Sequence, residues 1–64
     1  MKARQVMQSG EVREYTVNTK TGECKHFVNS QLKHHEVVSL LEARQRANDF
    51  ISQSDDGSME IVEY

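Results

Sequence analysis

The run from Leu32 to Ser54 constrains this chain most: it contains no proline or glycine, and its apolar residues recur on a helical period. Apolar side chains fall at Val37, Leu40, Leu41, Ala47, Phe50 and Ile51, with Ala43 beside them. Spacings of three, four and seven put them on one stripe of a 3.6-residue helix. Glu42, Gln45, Arg46, Asp49 and Gln53 take the opposite face. The pattern predicts one amphipathic helix over residues 32–54. At its start, Leu32 and Val37 have the spacing of a hydrophobic staple around Lys33, with Glu36 at the third helical position. Ser30 is the alternative cap, one turn earlier. Ser54-Asp55-Asp56-Gly57 supplies the stop, with Gly57 suited to a left-handed residue.

Ahead of this helix lies the clearest β unit. Val12, Tyr15, Thr16 and Val17 suit a strand, and Thr19-Lys20-Thr21-Gly22 reads as a turn closed by a left-handed glycine. That turn fixes a register in which Val17 faces Cys24, Tyr15 faces His26 and Arg13 faces Val28. One face then carries Tyr15, Val17, Cys24, His26 and Val28 and should meet the helix. The other carries Val12, Glu14, Thr16, Lys25 and Phe27. A slip of one residue would invert the assignment. Residues 1–10 read either as a frayed tail or as an extra edge strand, with Arg4–Gln8 pairing to Glu11–Asn18 through the Ser9-Gly10 turn and Met7 joining Val12 and Phe27. Ser58–Tyr64 reads as a final strand whose apolar residues on both faces imply neighbours or cover.

The expected fold is therefore α+β: a small ββαβ domain, or βββαβ if residues 4–8 pair, with a mainly antiparallel sheet and one helix on one face. A right-handed strand–helix–strand crossover suggests the strand order 2-1-3. At 64 residues the chain forms one domain, 1–64, with a core of modest size. A single cysteine and the lack of an apolar leader or membrane-length segment point to a reducing, cytoplasmic setting.

Charge is unevenly distributed along the chain. Residues 1–34 hold six Lys or Arg against three Glu, while residues 35–64 hold two Arg against seven acids. Lys2, Arg4, Arg13, Lys20 and Lys25 can line the hairpin, with Phe27 as a stacking platform, which is the pattern of a small nucleic-acid binder. Glu11, Glu14 and Glu23 in the same strands, and a pI near 5.8, argue against it.

Chemistry-bearing clusters are sparse. Cys24, His26, His34 and His35 are the only metal-like set, but the pairs are not spaced as zinc knuckles, so neither metal nor cofactor is expected. The three glycines all fall at turns, so no phosphate loop is present. Paired carboxylates lack a burying environment, and Cys24 lacks an orienting base. The chain is expected not to be an enzyme.

Protein recognition fits the remaining features best. Val12 and Phe27 on the outer sheet face form an apolar centre beside charged residues. Asp55, Asp56, Glu60 and Glu63 gather acid near the C-terminal end and would attract a basic partner. The last strand offers a sheet edge for strand addition or a homodimer. In size and element order the chain is similar to small phage and bacterial accessory proteins, some of them inhibitors of host enzymes. The expectation is a module that docks on a larger protein and modulates it, with Val12, Phe27, Asp55, Asp56, Glu60 and Glu63 as contacts. The alternative is a nucleic-acid binder using Arg13, Lys20 and Lys25.

Overall fold

The computed structural model describes all 64 residues as five strands and one helix. They are β1 (Lys2–Val6), β2 (Val12–Val17), β3 (Glu23–Val28), β4 (Gln31–Val37), α1 (Leu40–Asp55) and β5 (Glu60–Glu63). The strands form one sheet in the order β4-β3-β2-β1-β5, antiparallel at every step. The α+β class and the single helix on one face match expectation, but the strand inventory and the 2-1-3 order do not.

Residues 32–37 of the expected helix belong to strand β4. The chain reverses at Asn29 and Ser30, both with positive φ (49° and 69°). Two left-handed residues between paired strands mark the two-residue hairpin turn whose twist matches the sheet. Asn29 secures the turn: its N–H donates to the Val12 carbonyl at 2.8 Å, and its Oδ1 accepts from the Val12 N–H at 3.0 Å. Once this hairpin forms, residues 31–37 have β3 as a partner and gain more from its ladder than from helical bonds. The helix starts eight residues later than the sequence pattern suggested. Ser39, extended at φ −63° and ψ 155°, is its cap, and its Oγ accepts from the Glu42 N–H at 3.1 Å.

The helix ends as its sequence dictates. Gly57 is left-handed at φ 80°. Its N–H donates to the Ser54 carbonyl and the Ser58 N–H to the Gln53 carbonyl, the paired bonds of a Schellman ending.

Residues 2–6 form a regular strand rather than a tail. β1 lies inside the sheet between β2 and β5, with Ala3 opposite both Tyr15 and Ile61. Its register differs from the expected Arg4–Gln8 pairing: Val6, not Met7, sits opposite Val12. The final strand is an edge, not a strand flanked on both sides. Met59 is buried, while Val62 and Tyr64 stay exposed.

Between β2 and β3 the register is the expected one, with Val17 opposite Cys24, Tyr15 opposite His26 and Arg13 opposite Val28. The helix covers the face that carries them. Ala43 is fully buried against Val17 and Cys24, with Val38 and Phe50 packed around that cluster. Small residues at positions 43 and 47 let the helix axis approach the sheet closely. The Tyr15 ring stacks on His26, centroids 4.6 Å apart and nearly parallel, and meets Phe50 at 5.4 Å. Leu40 and Leu41, expected in the buried stripe, are exposed, Leu41 by 80%. The inward face is set by Ala43, Ala47 and Phe50, and Leu41 lies away from it.

Candidate functional site

Three surfaces bear on function: the uncovered face of the sheet, a groove beside the helix, and the charged chain ends.

The uncovered face follows from the registers, because residues directly opposite in an antiparallel ladder share a face. One row runs Glu60, Arg4, Glu14, Phe27 and Leu32. The next places Val6 opposite Val12. Phe27 stands diagonal to Val12, so Val6, Val12, Phe27 and Leu32 form an apolar stripe across four strands. Val6 is 64% exposed and Leu32 52%. Ion pairs border the stripe: Lys2 with Glu14 at 3.3 Å, Arg4 with Glu60 at 3.2 Å and Lys25 with Glu23 at 3.4 Å. The carboxyl of Glu23 is held below its ordinary range, first by its hydrogen bond to Lys25 and also by His35 at 3.3 Å.

The expected contact residues divide between surfaces. Val12 and Phe27 are together on this face, and Glu60 joins them through Arg4. Glu63 lies opposite Lys2 at the rim. Asp55 and Asp56 do not join them. They sit at the end of the helix, on the other side of the sheet, and Asp56 is the helix C-cap. Sequence reasoning missed Val6 and Leu32, because the expected Ser9-Gly10 hairpin put Met7 rather than Val6 beside Val12 and Leu32 read as a helix start. The signal for Leu32 was the Asn29-Ser30 pair just before it.

The expected nucleic-acid residues are scattered. Arg13 lies on the helix side of the sheet, where its Nε donates to Glu11 at 2.7 Å, and that bond holds the guanidinium pKa above its ordinary value. Lys20 sits in the β2–β3 turn, and Lys25 is on the uncovered face beside Glu23. No single surface combines the three.

The groove lies between the helix flank and β3–β4. It encloses about 230 Å³ and is lined by Tyr15, Cys24, His26, His34, Arg46 and Phe50, among others. His26 stands opposite His34, and Cys24 opposite Glu36, on this side; His35 faces the other way. The four metal-like residues are thus split across the sheet. The Cys24 thiol is buried and contacts the Gly22 carbonyl at 3.6 Å, and the buried Nε2 of His26 has no hydrogen-bond partner. At the mouth, Glu36 accepts from Arg46 at 2.7 Å and from His34 at 3.3 Å, while Arg46 also reaches Glu42 at 3.1 Å. Arg46 first, then His34, keeps the Glu36 carboxyl below its ordinary range, and Glu36 raises the Arg46 guanidinium in turn. The Glu36–Arg46 pair fastens β4 to the helix.

A larger recess, about 430 Å³, opens at the end of the sheet between Met1, the β2–β3 turn and Tyr64. Its lining mixes Lys2 and Lys20 with Glu23 and Glu63, so it presents no single sign of charge to a ligand.

Compared with known proteins, the chain matches no family model, no curated protein and no solved structure. No helix is long and apolar enough to cross a membrane.

Proposed function

We propose that this protein is a small binding module that docks on a larger protein through the uncovered face of its sheet and modulates that partner, as accessory inhibitors do. One observation carries the reading: the stripe Val6–Val12–Phe27–Leu32, contiguous across four strands and bordered by ion pairs. An apolar centre with a charged rim is the usual anatomy of a protein-recognition patch. An aromatic near the middle of such a patch is the residue type that most often dominates binding. The rim charges, already paired within the chain, need little rearrangement to stay solvated around a docked partner.

The test is affinity capture from the native host with wild-type, Phe27→Asp and Leu32→Asp proteins as bait, followed by mass spectrometry and titration of the recovered partner. The wild type should retain a partner that both variants lose, with affinity falling about 30-fold or more. Circular dichroism melts should show both variants folded, because neither side chain belongs to the buried set. A partner retained equally by all three proteins would end this reading.

A further inference from the structure

Strand β4 forms one edge of the sheet, and no element covers it. Six of its seven residues are exposed. The Val38 N–H donates to the Gly22 carbonyl at 2.9 Å, which sets the phase of the ladder. Glu36 and His34 then turn their main-chain groups toward β3, while His35 and Val37 turn theirs outward, unpaired. The opposite edge is poorly suited to pairing. β5 has four residues, begins and ends with glutamate, and is bulged where it meets Lys2 and Ala3. On β4 the bulge lies near Lys33, and the stretch from His34 to Val37 is regular.

We propose that β4 is the contact between two copies of this chain, paired antiparallel about a two-fold axis through His35. Charge complementarity selects both the occupant and the register. A two-fold axis normal to the sheet sets helix-side residues against helix-side residues, so the axis must pass through a residue rather than between two. Centred on His35, each His34 stands opposite the Glu36 of the other copy, giving two basic–acidic pairs on the helix side. Centred on His34, the same strand sets His34 against itself and Lys33 against His35, basic against basic. Each register sets one histidine against its own copy, but only the His34 register adds two Lys33–His35 pairs, and like charges directly opposite one another disfavour it. In the His35 register the two His35 residues exchange both main-chain bonds, which uses the outward groups the ladder leaves free. The assembly is one continuous sheet with both helices on the same side. It leaves Val6, Val12 and Phe27 uncovered, but Leu32 lies on β4 itself, so Phe27→Asp is the variant that separates the docking proposed above from this inference.

Sedimentation equilibrium of the full chain from micromolar to millimolar concentration tests it. The wild type should rise to twice the 7.4 kDa chain mass. His35→Pro should stay at the mass of one chain and keep its circular dichroism spectrum, because an edge position with an outward N–H tolerates proline. A second measurement reads the register directly. Under mild oxidation His35→Cys should form a disulfide-linked dimer, since residues paired across the axis lie about 5.5 Å apart at Cα, within disulfide reach. Val37→Cys should not, because its two copies lie roughly 14 Å apart along the strands. A wild type that remains monomeric throughout, whether or not another protein's strand occupies the edge, overturns the proposal. So does Val37→Cys cross-linking as readily as His35→Cys.

Discussion

Val38 crosses Gly22 so closely that a Cβ at position 22 would lie 2.1 Å from the Val38 carbonyl oxygen. Gly22 also has φ +83°, is buried, and accepts the Val38 N–H through its own carbonyl. One residue therefore closes the β2–β3 turn and seats the segment that leads into the helix. Gly22→Ala should destabilise the fold by roughly 2 kcal/mol or more, since positive-φ strain adds to a clash with backbone that cannot rotate away. Urea denaturation with an unchanged m-value would register the loss. A variant as stable as the wild type would show that the crossing is looser than described.

Ser30 supports a prediction of opposite sign. It holds φ 69° without the freedom of glycine. Ser30→Gly creates the Asn-Gly pair that this hairpin turn prefers, relieving about 1 kcal/mol of left-handed strain against a smaller entropic cost. For a chain of this size the thermal midpoint should rise by several degrees. A lower midpoint would mean that the Ser30 side chain contributes something beyond the turn.

Phe50 and Leu41 lie on one helix yet should respond differently to truncation. Phe50 packs on Tyr15 and the Val17–Cys24–Ala43 cluster, whereas Leu41 is 80% exposed. Phe50→Ala should cost about 2–3 kcal/mol, less than a fully buried phenylalanine. Leu41→Ala should stay within about 0.5 kcal/mol of the wild type. Equal losses in chemical denaturation would contradict the inward face given to this helix.

Glu36 predicts a pH dependence. Its carboxyl lies below the ordinary value of 4.5 because Arg46, then His34, favour the charged form. A depressed carboxyl stabilises the fold fully above its unfolded value and loses that contribution as pH falls through the folded one. Glu36→Gln should therefore lower the thermal midpoint near neutrality and converge with the wild type in acid. A gap between the two curves that stays constant down to pH 3, on the order of one unit below the ordinary range, would assign the role of Glu36 to something other than its charge.

How much of this fold was legible follows from the local chemistry of particular residues. The β2–β3 register was readable because Gly22 permits only one placement of the turn, and the alternation of Tyr15, Val17, Cys24 and His26 then chose the covered face. Gly57 announced the helix end just as clearly. Strand β4 was hidden because Leu32, Val37, Leu40 and Leu41 continue the spacing of Ala43, Ala47 and Phe50, so a strand and a helix in series resemble one long helix. Two local signals opposed that reading: the Asn29-Ser30 reversal and the Ser39-Leu40-Leu41-Glu42 cap, supported by the β-branched pair Val37-Val38. The uncovered face inherited the same error. Val12 and Phe27 were placed correctly, while Leu32 was absorbed into the helix and the expected N-terminal hairpin put Met7 in the place that Val6 takes.

The position of β1 has a consequence for how the chain assembles. Ala3 is flanked by Tyr15 on one side and Ile61 on the other, so β1 is enclosed by a strand far from it in sequence. β1 gains its second neighbour only when residues 60–63 pair with it, and a bulky group attached ahead of Lys2 would crowd the middle of the sheet rather than its margin. Gln45 and Asn48, on the solvent side of the helix, offer a safer anchor for a dye or a surface tether.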